Sequence, residues 1–205
     1  MESILHRARG RRSSTYRDID GWLESLLALM QDKGHAHYGE GVSQLQHMLQ
    51  AATLAERRQL PASMVAAALL HDVGHLLGDE PEDIASQGHD TEHERRGARF
   101  LSQMFPTAVV GPIALHVMAK RYLCTVDTAY DLGLSAASRQ SLMLQGGLLN
   151  MEQRRSFEHS FWFEDALTLR QLDDEAKCIG ANTPPLQHYQ PLLKTLIQHR
   201  FNLPR

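Results

Sequence analysis

The sequence predicts an all-α fold, and three observations carry that expectation. Apolar residues recur at three- and four-residue intervals almost throughout, no run of Val, Ile, Thr and aromatics alternates as a strand would, and Gly or Pro stands at the ends of the periodic stretches. In chain order, IDGWLESLLALMQDK (19 to 33) is amphipathic and stops at Gly34, a natural residue after a helix end. The loop HAHYGEG follows. From Ser43 to Gln59, Leu45, Met48, Leu49, Ala52 and Ala55 trace one helical stripe. Pro61 opens LPASMVAAALLHDVGHLLG in the first-turn position that suits proline, and Gly78 closes it. The Ala-rich middle of this segment predicts a helix packed closely on several sides.

Residues 78 to 90 are acidic and rich in turn formers and read as a loop, after which Thr91 and Glu94 form a T-x-x-E capping box. The helix it predicts carries His93, Gly97, Phe100, Leu101 and Met104. Pro106 and Pro112 each punctuate the chain, and Ile113, His116, Val117 and Lys120 then lie at one-turn spacing. A loop is expected from Asp127 to Gly133. Ser135 begins SAASRQSLMLQ, which breaks at Gly146 and Gly147. Trp162, Ala166, Leu169, Asp173 and Ala176 step along a long helix, so a carboxylate sits on its apolar face. Pro184 and Pro185 precede a terminal helix to about His199.

The 205 residues make one domain, 19 to 205, behind a basic tail, 1 to 18, in which Arg7, Arg9, Arg11, Arg12 and Arg17 cluster. Lys and Arg number 21 against 24 Asp and Glu, a net charge of −3, which gives no reason to expect a nucleic-acid partner. No apolar run has the roughly 18 to 20 residues of a membrane span, and no hydrophobic leader follows Met1. Cys124 and Cys178 read as small core residues rather than ligands, and these features together predict a cytoplasmic protein with reduced cysteines. The unusual count is 12 His.

His71 and Asp72 are adjacent within LLHDVGH, and neighbours on a regular helix diverge by about 100°. They can share an ion only if other helices supply the remaining ligands. His47 lies on the preceding helix, His93 and His116 on the two that follow, and Asp173 on the long C-terminal one. Burying these groups unpartnered is costly, and a divalent cation removes the cost by accepting their lone pairs. Six N and O ligands exceed one tetrahedral site but suit two ions bridged by Asp72. Among the alternatives, His89 precedes the capping box and Asp174 lies off the apolar stripe. His35, His37, His159, His188 and His199 read as loop or surface residues.

H…HD…H…H…D over five helices resembles the HD-domain superfamily, a helical bundle with a central metal site. Within it the chain is most similar to the mixed-valent diiron oxygenases of hydroxylated aminoethylphosphonates, relatives of myo-inositol oxygenase. The stretches carrying the resemblance are YGEGVSQLQHMLQAA (38 to 52), AAALLHDVGHLL (66 to 77), HERRGARFL (93 to 101), HVMAKRYLC (116 to 124), LSAASRQSLMLQGG (134 to 147) and LRQLDDEAK (169 to 177).

The resemblance implies two irons, Fe(II)/Fe(III), one held by His47, His71, Asp72 and Asp173 and the other by Asp72, His93 and His116. It implies that Lys120, Ser138, Ser141 and Arg170 grip the phosphonate, where a point cation, a guanidinium and hydroxyls suit a tetrahedral dianion. His75 would partner the substrate hydroxyl and Glu40 a substrate ammonium. A tyrosine three residues before that glutamate caps the second iron in the family; here Tyr38 is two before it and His37 three before it, and the cap is open between them. Leu172 stands where the family pattern expects an aromatic. The activity implied is O2-dependent cleavage of the carbon–phosphorus bond of a 1-hydroxy-2-aminoethylphosphonate or an N-methylated analogue. The products are phosphate and glycine or a glycine derivative. The alternatives are a metal-dependent HD phosphohydrolase acting on a phosphate ester, with the same ligands, and a non-catalytic metal-binding protein.

Overall fold

A computed structural model describes residues 18–37, 41–78 and 87–201. All regular structure among them is helical. The basic tail (1–17), the Tyr38 to Glu40 stretch and most of the acidic loop (79–86) lie outside the described residues.

Helix α1, Ile19–Lys33, starts where Asp18 accepts from the Gly21 N–H, and it ends at Gly34. Helix α2, Gln44–Arg57, is capped by the Ser43 hydroxyl and buries Met48, Ala51, Ala52 and Ala55 beside His47. Helix α3, Ala62–Leu70, begins just after Pro61, and its segment from Met64 to Leu70 is buried on every side. Ala at 66 to 68 lets neighbouring helices approach closely, as its composition predicts.

Four expectations are corrected here. The LLHDVGH helix is not continuous: α3 ends at Leu70 and a separate turn, α4, Val73–Leu76, begins after Asp72, whose φ of −100° and ψ of 7° leave the helical range. That break lets adjacent His71 and Asp72 face the same space, which a regular helix forbids. Second, the T-x-x-E box does not form. Helix α5, His93–Leu101, starts after Glu92 in a left-handed conformation (φ 46°), with no side-chain cap. Third, Pro112 lies inside α6, Thr107–Val126, where it forgoes one hydrogen bond near the helix start while Val109, Ile113 and Val117 carry the helix into the core. Fourth, the expected loop contains α7, Thr128–Gly133, initiated by Asp127 accepting from the Ala129 and Tyr130 N–H groups.

Helix α8, Ala136–Leu144, ends before Gly146 and Gly147, both at positive φ, whose carbonyls accept from Arg121 on α6. Then come α9, Met151–Glu158, α10, Phe163–Glu175, a short 3-10 turn at Leu186–Tyr189, and α11, Gln190–Arg200. Helix α6 is the central column. It packs against α10, α5 and α3, while α2 closes against α3 and α10. The site lies where these helices meet. One glycine sets the spacing: a Cβ on Gly74 would stand 1.9 Å from the His93 carbonyl oxygen, so α4 and α5 approach only because residue 74 has none.

Candidate metal centre

Six side chains converge from these elements. His47 comes from α2, His71 and Asp72 from the break between α3 and α4, His93 from the first residue of α5, His116 from the middle of α6 and Asp173 from α10. On one side of Asp72, His47 Nε2 lies 3.1 Å from His71 Nε2, 3.2 Å from Asp173 Oδ1 and 3.6 Å from Asp72 Oδ2. His71 Nε2 is 3.5 Å from Asp72 Oδ1 and 3.9 Å from Asp173 Oδ1. On the other side, Asp72 Oδ1 is 3.5 Å from His93 Nε2 and 3.7 Å from His116 Nε2, and those two nitrogens are 3.1 Å apart. Two donor sets therefore share one carboxylate.

The far nitrogens fix what these near nitrogens can be. His47 Nδ1 donates to the Ala176 carbonyl at 2.9 Å, His71 Nδ1 to Ala68 at 2.9 Å and His116 Nδ1 to Ile113 at 2.8 Å. A carbonyl only accepts, so each Nδ1 carries the proton and each neutral ring presents a bare lone pair at Nε2. Lone pairs facing each other at 3.1 Å and flanked by carboxylate oxygens repel unless a proton or a cation lies between them. Two nitrogens held about 2.1 Å from one ion at right angles stand ~3 Å apart, which is the spacing seen. The donor set thus fits a metal pair. Imidazole plus carboxylate suits iron and also manganese or zinc.

The electrostatics agree. Burial opposes ionisation of Asp72, yet the charges of His71, His75, His93 and His47 outweigh it and hold its carboxyl well below the usual range. Burial likewise works against Asp173, and Arg170, with His47 and His71, lowers it well below that range. Burial lowers His47, but the Asp173 hydrogen bond and the two carboxylate charges raise it overall. His116 is pulled to about 4, chiefly by burial and then by His71. The carboxylates stay charged and His116 stays neutral, the states that ligands need.

Of the other residues expected to act, His75 stacks on His93, with ring centroids 4.0 Å apart. Lys120 is buried and donates to Ser141 Oγ at 2.7 Å. Ser141 in turn donates to the Ser138 carbonyl at 3.0 Å. Arg170 Nη1 donates to Asp173 Oδ2 at 2.7 Å, and its other nitrogens engage Asp174 and the Tyr130 hydroxyl. The structure thus puts this guanidinium behind the Asp173 carboxylate of the first donor set. His35, His37, His89, His159, His188 and His199 are all exposed. Tyr38 and Glu40 lie outside the described residues. Cys124 is buried, whereas Cys178 is exposed and not the small core residue expected.

Three residues went unread in the sequence. Gln44 Nε2 donates to Asp72 Oδ2 at 2.5 Å, leaving Oδ1 toward His93 and His116. Lys177 Nζ donates to Ser138 Oγ at 3.1 Å, so the two serines carry one lysine each. Gln44 had a signal, since it stands three residues before His47 on the same helix face, whereas Lys177 lies past the end of α10. The third, Glu94, has a role other than the helix cap that its spacing predicts. Its side chain is instead buried, with Oε2 3.8 Å from His93 Nδ1.

Comparison with known proteins adds a family. Residues 45–129 match the HD domain. The chain is 45% identical over 179 residues to a hydroxymethylphosphonate dioxygenase of Gimesia maris, covering 85% of this chain and 88% of that protein. It is 35% identical over 176 residues to the glycine-betaine-forming [1-hydroxy-2-(trimethylamino)ethyl]phosphonate dioxygenase of Leisingera caerulea, covering 85% and 90%. An uncharacterized protein of Acanthamoeba polyphaga mimivirus is 33% identical over 174 residues, covering 83% and 80%.

Proposed function

Because this chain belongs to the HD-domain family of phosphonate dioxygenases, we propose that it uses two irons and O2 to cleave the carbon–phosphorus bond of a short 1-hydroxylated phosphonate. The observation that carries the reading is the pair of donor sets on one carboxylate, with two lysine–serine pairs beside it. His47, His71, Asp72 and Asp173 would hold one iron, and Asp72, His93 and His116 the other. Bound there, the irons would supply activation of O2 and oxidation of the carbon that bears phosphorus.

The chain's own residues do the rest. Lys120 on Ser141 and Lys177 on Ser138 offer two ammonium groups and two hydroxyls to the phosphonate oxygens. Arg170 orients Asp173 and adds positive charge behind it. His75 is half-buried, and desolvation first, with the charges of His71 and Arg96 working against Asp72, holds it below its ordinary value. It is therefore neutral near pH 7 and able to accept the substrate hydroxyl proton in a hydrogen bond. By the family resemblance, Tyr38 or His37 would cap the second iron and Glu40 would partner a substrate ammonium; Tyr38 and Glu40 lie outside the described residues.

The stoichiometry is closed without a reductant. For hydroxymethylphosphonate, one substrate and one O2 contain the atoms and electrons of formate, phosphate and a proton. For the 1-hydroxy-2-amino homologue, glycine replaces formate, and N-methylated substrates give the corresponding glycine derivative. Greater identity to the hydroxymethylphosphonate enzyme supports testing the amine-free substrate beside the amino ones.

The test is a substrate panel of hydroxymethylphosphonate, 1-hydroxy-2-aminoethylphosphonate and its trimethyl analogue, run in air and under argon with iron-loaded protein. Phosphate release matched by equal O2 uptake on at least one member is expected. Undiminished release under argon would replace oxygenation with hydrolysis. Glu40→Gln should weaken use of the amino substrates and leave hydroxymethylphosphonate unaffected.

A further inference from the structure

Three of the four imidazoles are oriented alike, each through Nδ1 to a main-chain carbonyl. His93 is the exception. It is the first residue of α5, its ring is stacked on His75, and the carboxylate of Glu94 stands 3.8 Å from its Nδ1. Glu94 is itself only 7% exposed, and its Oε2 is enclosed without a hydrogen-bond partner. A buried carboxylate oxygen with no donor is rare in folded proteins and costs stability. Its neighbour Arg95 does not remove that cost, because its Nε lies 4.0 Å from the other oxygen, Oε1, and its side chain is 70% exposed. A capping role is also closed to Glu94, since the helix starts on left-handed Glu92 without a side-chain bond.

We propose that Glu94 is the positioning residue of His93: its Oε2 accepts a hydrogen bond from the Nδ1–H when an ion seats on Nε2. Closing the contact to hydrogen-bond length needs a shift of ~1 Å, and such bonds are commonly long before a site is loaded. The assignment gives the orphaned oxygen its donor and the unanchored ring its acceptor in one step. It also makes the two ions unlike. The ion shared by His47 and His71 sees imidazoles backed by neutral carbonyls. The ion held by His93 sees one backed by a full negative charge, which fixes the ring and makes Nε2 more basic. This inference rests on the paired metal centre proposed above and is independent of the substrate.

The test uses the full chain reconstituted with Fe(II) without oxygen. Iron per chain is followed in competition with graded chelator, and melting is recorded with and without metal. Glu94→Ala should retain one ion at native affinity and bind the other ~10–100-fold more weakly. Glu94→Gln keeps a carbonyl acceptor and should lie between Ala and native protein. The metal-free melting temperature should not fall in Glu94→Gln, because the change removes an unpartnered charge while conserving shape. Both ions held at native affinity in both variants would overturn the proposal. So would equal weakening of both ions with a lower metal-free melting point, which marks a packing role. Native protein that binds fewer than two ions would bring down the paired-centre reading itself, and this proposal with it.

Discussion

The Nε2 atoms of His47 and His71 face each other at 3.1 Å, and in the neutral rings both present lone pairs, because each ring keeps its proton on Nδ1, where it donates to a carbonyl. Without a metal the gap must take a proton. That is the physical content of the raised value of His47, where Asp173 and Asp72 together outweigh burial. Metal and proton therefore compete for one place. Loading should release a proton, and apparent metal affinity should climb about tenfold per pH unit below the raised value. The sign for stability follows. A group with a raised folded-state value stabilises the fold fully below its unfolded value, near 6.5, and loses that contribution as pH rises through the folded one. The metal-free melting temperature should accordingly fall as pH rises above about 6.5, and the loaded protein should not share the decline. Proton uptake in weakly buffered titrations and melting across pH 6 to 9 check both.

Among the described residues Asp72 is the side chain that belongs to both donor sets, so its removal should differ in kind from removal of the others. Asp72→Asn is expected to bind neither ion firmly. His47→Ala should release the ion beside Asp173, and His116→Ala the ion beside His93, each leaving close to one metal per chain. The loss in each case should exceed the ~10–100-fold typical of an outer-sphere change. Elemental analysis after gel filtration distinguishes these outcomes. If Asp72→Asn retained two ions, the bridge would be wrong.

How far the sequence discloses this centre depends on what each residue does for the fold. His116 and Asp173 were legible because they interrupt apolar stripes, where a polar group without a partner is costly, whereas His47 lies off the stripe of its helix and was read only as one of the set. The break at Asp72 was not, since Ala and Leu before it and Val and Leu after it favour an unbroken helix. Glu94 satisfied a capping template that the left-handed Glu92 then pre-empted. The phosphonate role of Arg170 came from the family resemblance; its contact with Tyr130 on α7, in a stretch that looks like loop, is announced by nothing local. Local pattern finds the helices and their polar exceptions; partners forty residues away come from packing.

Gly74 ties the fold to the second donor set. A methyl at this position would sit 1.9 Å from the His93 carbonyl oxygen, and backbone cannot yield as a flexible side chain can. Gly74→Ala should push α5 away from α4, costing about 1–3 kcal/mol as overpacking usually does. Because His93 moves with α5 while His47, His71 and Asp173 do not, the ion at His93 should be lost first. Denaturant unfolding paired with iron analysis measures the two effects together. A variant of native stability holding both ions would show that the close approach is dispensable.

Lys120 offers a test on the substrate side. Burial, and then the positive charge of Arg170, pull its ammonium to about 7; Asp173 and Asp174 work upward against them, and Lys177 downward. In the free enzyme the group is thus half charged near neutrality. A phosphonate dianion binds its protonated form, so kcat/KM should fall above pH ~7, approaching tenfold per unit, while kcat changes less once the bound anion raises the lysine. Lys120→Met removes a charged hydrogen bond worth ~1.5–3 kcal/mol, which predicts a KM roughly 10–150-fold higher. It should also abolish this alkaline limb and leave any limb due to the substrate's own ionisation, so the difference between the two profiles isolates the lysine. Identical profiles for Lys120→Met and native enzyme would remove Lys120 from the phosphonate site.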